Sequence, residues 1–432
     1  MAGRQSNPLS ALDGLRGIAS CIVFIFHGLL AFSPMVYYGY GAREHGKWFH
    51  QLPFLRLVYA GPTMVLLFYI ISGYVLSLKP LKLIRSGSWD QVFHTLSSSV
   101  FRRGFRLFMP ALISTFITML LLQARLFEYI SEKSTENVGY RLEKFELHAP
   151  RLETLGGQFR HWLASSWAMI NPWTWERYLN PYNPNLWSLS AEFRGSLILF
   201  LAVLGLGRLK ARFRLPILSC LIWTSAVCQK WEVAASFAGM VLAERDLHYG
   251  TLEVAKNKPT ITKQTQTKEI LLFIGGLYLA SYPKFDGNET PGYRTLSNIV
   301  PFRIEQDKWW QIIGGMIIVY SATNSRLVEE FFTGSFLQYL GEVSFPVYVV
   351  HGPILHSVGL LVMSTSWKYM GRDTLSQKVL NFAVSAIIVI PVLSWVAYVF
   401  RKVVDIPCAK FSRWLEINVT SDTAYKYSTV RR

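Results

Sequence analysis

Charge is what this chain has least of. Only 16% of its 432 residues are Asp, Glu, Lys or Arg, where a soluble domain carries about 25%. That shortage, with 51% hydrophobic residues, excludes an ordinary water-exposed fold. Cysteine is scarcer still. Cys21, Cys220, Cys228 and Cys408 lie in or just beyond apolar runs, at spacings that form neither a zinc site nor a disulfide framework. The sequence holds no Gly-rich phosphate loop, no His-Glu-x-x-His pair and no nucleophile elbow. No metal site is expected. No repeat or low-complexity tract divides the chain, so one domain is the simplest reading. The first apolar run is too long for a signal peptide and lacks a convincing cleavage site, so it is expected to stay as a span.

What the chain does have is long uncharged runs, clearest at Val58–Leu78, Leu107–Ala124 and Val379–Phe400. A helix needs roughly 20 apolar residues to cross a bilayer, and only helices and closed barrels satisfy their backbone there. The sequence therefore predicts an all-α polytopic membrane protein. About ten spans are expected in one bundle, near 14–38, 57–78, 107–124, 195–207, 215–229, 231–244, 269–282, 309–322, 343–364 and 379–400. The stretch 215–244 is the weak part, because two full crossings need roughly 40 residues.

The formal charge of +17 is not spread as a nucleic-acid surface would be. It sits in short clusters between apolar runs: Lys79 to Arg106, Arg208 to Arg214, Lys256 to Lys268, and Arg401 with Lys402. With ten spans these clusters share the cytoplasmic side with both termini. Residues 125–190 then form an extracytoplasmic loop, 245–268 a cytoplasmic loop, 1–413 the membrane domain and 414–432 a polar cytoplasmic tail. Of the two glycosylation sequons, Asn288 falls outside and Asn418 inside.

Two ionisable residues break the first run. Arg16 and His27 are eleven positions apart, three turns plus about 20°, so they share one helix face roughly 16 Å apart along the axis. Such residues are costly in hydrocarbon and rarely serve packing alone. A surface cation and a deeper imidazole suit a long ligand with an anionic head and a reactive far end, and acyl-coenzyme A is one. His27 would be the general base on an acceptor hydroxyl. The plainer alternative is a His27 hydrogen bond to a neighbouring helix, with Arg16 as a membrane anchor.

Further candidates follow along the chain. "FRRGFRLFMP" sets Arg102, Arg103 and Arg106 at the mouth of the third span, either to grip phosphates or to fix orientation. "NPNLWSLSAEFRGS" puts Glu192 where the fourth span starts. It could cap the helix or pair with Arg194, or it could orient His27 or bind the acceptor. "GEVSFPVYVVHGPI" carries Ser344 and a deep His351, whose plainest role is a hydrogen bond within the bundle. "HGKWFH", with His45, His50 and Trp48, reads as an interfacial loop.

These blocks, "LDGLRGIASCIVFIFH", "SGYVLSLKP", "FRRGFRLFMP", "NPNLWSLSAEFRGS" and "LGEVSFPVYVVHGP", resemble in order those of the acyltransferase 3 family, most closely its fungal members. The resemblance covers essentially the whole chain. It implies an integral membrane O-acyltransferase that moves acetyl or another short acyl group from acyl-CoA, with no permanently bound cofactor. The acceptor would be a small hydroxyl-bearing molecule such as a natural product. The resemblance makes His27 catalytic, has Arg16 assist with the donor, and maps the family's Arg-x-x-Arg element onto Arg103 and Arg106 as coenzyme A contacts. At Glu192 the sequence continues "FRGS" where many relatives have an aromatic pair. A transporter or acyl carrier is the competing class, and the missing repeat argues against it. The membrane would be the endoplasmic reticulum, another endomembrane or the plasma membrane.

Overall fold

The computed structural model describes residues 8–42, 46–126, 149–250, 263–301, 303–371 and 373–420. Among them the chain is helical, with two isolated bridges in place of any strand. The helices are α1 (Pro8–Phe32), α2 (Gly61–Arg85), α3 (Trp89–Gln123), α4 (Leu155–Ile170), α5 (Trp187–Gly207), α6 (Ala211–Val227), α7 (Trp231–Tyr249) and α8 (Lys263–Ala280). They continue with α9 (Arg294–Ile299), α10 (Gln306–Asn324), α11 (Arg326–Phe332), α12 (Ser335–Ile354), α13 (Leu360–Met370), α14 (Leu375–Phe400) and α15 (Ile406–Val419).

Six helical stretches among the described residues are long and apolar enough to cross a membrane: Leu9–Leu30, Gly61–Arg85, Trp89–Gln123, Pro184–Gly207, Ser335–Met370 and Ser376–Val419. The chain is a membrane protein. Four further expected spans are helices too, α6, α7, α8 and α10, with 17, 19, 18 and 19 residues. By length and composition alone they fall short. Residues 127–148, 251–262 and 421–432, with their expected loop and tail charges, lie outside the described residues, as does His45.

Two boundaries differ from the sequence reading. α3 starts at Trp89, far ahead of the expected 107, so the arginines sit inside a 35-residue helix and not at its mouth. α5 starts at Trp187 after a 3₁₀ turn over Pro184–Leu186, which places Glu192 in its second turn. Proline suits such a start, since its missing N–H would be unpaired there anyway.

The chain forms two compact units, Met1–Ser97 with Arg194–Ser344 and Ser98–Phe193 with Phe345–Arg432, whose boundaries fall inside α3, α5 and α12. In the first unit small residues let backbones approach closely, as membrane helices require where lipid is as apolar as leucine. A Cβ on Gly73 would overlap the Ser236 carbonyl, and one on Gly239 would meet Ile70 O and lie 2.5 Å from Tyr74 N. These two glycines seat α2 on α7. Likewise a Cβ on Gly17 would lie 2.5 Å from Gly341 N, which seats α1 on the start of α12. The near ends of α2, α6 and α7 are joined by charge: Glu244, fully buried, accepts from Arg85 at 2.7 Å and Arg214 at 2.9 Å. Buried carboxylates persist only when paired in this way. Asp246 accepts Tyr74 Oη at 2.9 Å and Arg245 at 3.0 Å, so α7 runs as a packed helix into the segment expected as a loop.

In the second unit Leu107, Phe108, Ala111, Met169, Leu186 and Leu189 form an apolar cluster, with Phe193, Phe345 and Tyr348 against it. Buried Gln158 on α4 ties this helix to its surroundings, bonding Tyr182 Oη at 2.8 Å and Gln123 at 2.9 Å. After Pro353 the helix passes through a π turn at Leu355–Gly359 before α13. Proline removes one ladder donor, and such bulges accommodate the loss.

Candidate functional site

Arg16 and His27 lie on one unbroken helix, α1, so the shared face expected from their spacing holds. The buried face of α1 is Ala11, Leu12, Leu15, Ala19, Val23 and Phe26. His27 is half-buried beside it, its ring edge-on to Phe26 at 5.1 Å. Arg16 meets Asp13 at 3.5 Å, a partly exposed pair that fixes little. Ser344 also belongs to this unit. It is buried, and its hydroxyl donates to Gly341 O at 2.8 Å within its own helix.

The other candidates sit in the second unit, around its apolar cluster. Arg103, one turn before Leu107, donates from Nη2 to Glu192 Oε1 at 2.9 Å. Arg103 is a partner for Glu192 that the sequence reading did not weigh. Arg102 reaches instead to Glu416 on α15 at 3.0 Å. Arg106 is exposed. Three arginines that look alike in sequence thus have three environments.

His351, fully buried on α12, approaches Tyr348 O at 2.7 Å and Val347 O at 3.2 Å through Nδ1. Both are carbonyl oxygens, so Nδ1 carries a proton and donates it. Tyr348 in turn donates from its hydroxyl to Asn185 O at 2.7 Å and shares a 2.8 Å bond with Ser188. Asn183 donates to Val349 O at 2.9 Å. This lattice fixes α12 against the start of α5. Sequence reasoning missed Tyr348, Asn183 and Asn185, although they stand inside blocks already singled out. Their polarity is ordinary, and only packing reveals that the two asparagines are buried and Tyr348 half-buried. Among the described residues no group of His, Cys, Asp or Glu is arranged to hold a metal ion.

The sequence pattern of the acyltransferase 3 family, described as an acyltransferase domain, matches residues 9–400. The chain belongs to this family. Its curated relatives include the O-acetyltransferase PaAT-1 of Phomopsis amygdali, 28% identical over 94% of this chain and 84% of the relative. The acyltransferase clz18 of Cochliobolus lunatus is 26% identical over 99% of this chain and 98% of its own length. The acyltransferase R4 of Phoma sp. (strain ATCC 20986 / MF5453) is 28% identical over 94% and 95%. No solved structure matches the chain. Membership settles the class of chemistry as acyl transfer by a membrane protein. The five blocks that carry the resemblance fall on α1, α2, α3, α5 and α12, and the candidate residues lie on four of these.

Proposed function

We propose that this acyltransferase 3 protein moves an acetyl or other short acyl group from acyl-CoA to a hydroxyl of a small, lipophilic acceptor such as a natural product. The observation that carries the reading is the family match over residues 9–400, with its Arg-x10-His element falling on one face of α1 as Arg16 and His27. His27 takes the acceptor's hydroxyl proton as the oxygen attacks the thioester carbonyl. The tetrahedral intermediate then loses the sulfur, and the imidazolium returns the proton to the departing coenzyme A thiolate. Arg16 assists the donor.

Arg103 and Arg106 bind donor phosphates, since a guanidinium makes two-point contacts with them, and Arg102 supports that cluster. Glu192 acts through Arg103: a 2.9 Å ion pair holds the guanidinium in one orientation. His351 and Ser344 steady α12 through hydrogen bonds to carbonyls of their own helix.

Ten helices span the membrane in this reading, with both termini cytoplasmic and Asn288 glycosylated outside, in the endoplasmic reticulum, another endomembrane or the plasma membrane. No permanently bound cofactor and no metal take part. The decisive experiment supplies acetyl-CoA to the purified protein with extracts of a deletion strain and follows thiol release. Mass spectrometry should find one metabolite that gains an acyl group, and thiol release in the absence of any such product would refute the reading.

A further inference from the structure

α4 is built inside out. From His161 to Trp175 the sequence carries no Asp, Glu, Lys or Arg. Its polar residues Gln158, Ser165 and Ser166 are buried, whereas Leu155, Phe159, Leu163 and Trp167 are 58, 41, 46 and 74% exposed. Spaced every fourth residue, these four form one ridge along the helix. A helix at a protein–water boundary turns charge outward and apolar residues inward. This one does the reverse, except at Arg160 near its start.

Side-chain pairs show how deep α4 lies. Gln158 accepts from Gln123, the last residue of α3, at 2.9 Å. One turn further along α4, Trp162 Nε1 donates to Thr115 Oγ1 at 3.1 Å, and its ring meets Phe116 edge-on at 5.1 Å. Near the end of α4, Met169 joins Leu107, Phe108 and Ala111 in the apolar cluster. α4 therefore runs antiparallel to α3, from Gln123 back to Phe108, a descent of about 22 Å by helix rise. That is the length of the apolar run expected to cross the membrane, whose own outward residues Ile117, Leu120 and Leu121 are exposed. α5 continues where α4 stops: Leu189 lies in the same cluster, and Glu192 meets Arg103.

The end of α4 is completed by side chains in place of water. Ser190 donates its hydroxyl to Met169 O, and Asn180 Nδ2 donates to Ser165 O at 3.4 Å. In the non-helical stretch that follows, Asn180 accepts from Tyr182 N at 2.9 Å, Asn183 donates to Val349 O and Tyr348 to Asn185 O. Backbone at membrane depth needs such partners, because lipid offers none. We propose that α4 is a membrane-embedded half-helix whose ridge of Leu155, Phe159, Leu163 and Trp167 faces lipid acyl chains, and that α4 and α5 together make one broken crossing beside α3. Lipid is favoured over a protein partner because the ridge meets α3 where Phe159 packs on Phe116, next to exposed Ile117. Exposed Glu176 and Arg177, the latter over the Trp187 ring at 4.0 Å, then face water at the break, the other setting in which irregular backbone is tolerated at depth. The number and direction of crossings stay as proposed above, and no residue of the ridge has a role in acyl transfer.

Spin-label accessibility reads depth directly. A nitroxide is attached at Leu155→Cys, Phe159→Cys or Leu163→Cys, in protein whose exposed Cys220 and Cys228 are changed to serine, reconstituted in phosphatidylcholine bilayers. Collisions with oxygen, which concentrates in lipid, are compared with collisions with a water-soluble nickel chelate. The oxygen-to-nickel ratio should rise at each step from Leu155 to Leu163. Leu163→Cys should match Ile117→Cys on α3, which the antiparallel pairing sets at the same depth. A Leu163 label open to the nickel chelate while the Ile117 label is not would place α4 in water. A Leu163 label shielded from both colliders would place a protein partner on the ridge. Either result overturns the proposal. Charge gives an independent reading: Leu163→Lys should lower Tm in the bilayer, where an ionised side chain facing lipid is costly, and Leu163→Met should leave it unchanged. Equal Tm values in these two variants would also overturn the proposal.

Discussion

Replacing Arg103 by lysine separates a phosphate grip from a topological charge. Arg103 is the best-held arginine of its cluster, with a side chain only 14% exposed and a 2.9 Å bond to Glu192. Lysine keeps the charge, which is all that membrane orientation counts, but gives up the planar fork. It must then serve Glu192 or a donor phosphate with a single ammonium. One charge-assisted bond is lost, worth about 1.5–3 kcal/mol, and at about 1.4 kcal/mol per decade the donor KM should rise roughly ten- to hundredfold.

Arg102 supplies the internal control. Its bond to Glu416 is 3.0 Å with 35% of the side chain exposed, a pair of the kind worth about 0–1 kcal/mol. Arg102→Lys should therefore shift the donor KM by no more than about fivefold. Glu192→Gln tests the proposed orienting role: it should raise the donor KM, whereas a carboxylate acting in proton transfer would lower kcat and leave that constant alone. The assay is a donor titration in membranes with matched protein levels, with acceptor KM measured alongside. Equal donor constants in Arg103→Lys and Arg102→Lys would refute the reasoning.

Other expectations follow from the same geometry. His27→Ala should yield a folded protein that still binds acyl-CoA but turns over at least about 10²-fold more slowly, the usual scale for a general base; near-normal thiol release would remove His27 from the mechanism. Gly239→Ala puts a methyl group against Ile70 O and Tyr74 N, and overpacking of this kind costs about 1–3 kcal/mol, visible as a lowered Tm. Gly275→Ala, with nothing within 4 Å of its added carbon, should be neutral or stabilising by up to about 1 kcal/mol; similar losses in both would show that close approach is not what seats α2 on α7. Asn288 is exposed in the turn after α8 and Asn418 is exposed on α15. Enzymatic deglycosylation should shift the protein unless Asn288 is changed to Gln, and a glycan mapped to Asn418 would invert the proposed orientation.

The sequence by itself determined the class of this protein. Apolar runs made it helical and membrane-bound, because backbone polar groups in lipid must be satisfied within a helix. Spacing alone set Arg16 and His27 on one face, since both lie on a single helix whose repeat is fixed. Five short blocks in order pointed to the family that the match over residues 9–400 shows. Hydropathy could not say where α3 and α5 begin, because Trp89 to Arg106 and Trp187 to Arg194 are too polar to read as span yet continue the helix. Nor could it tell the basic residues apart. Arg214 looked like another orienting charge but is buried against Glu244, and Arg102 and Arg103 look alike until Glu416 and Glu192 claim them separately. Arg56 stood unnoticed beside an apolar run and is buried against the Ser281 carbonyl. Partners such as Arg85 with Glu244 and Arg56 with Ser281 are separated by 159 and 225 positions. Composition and period act locally along the chain, whereas the choice of which charge meets which carboxylate is made only when distant helices pack.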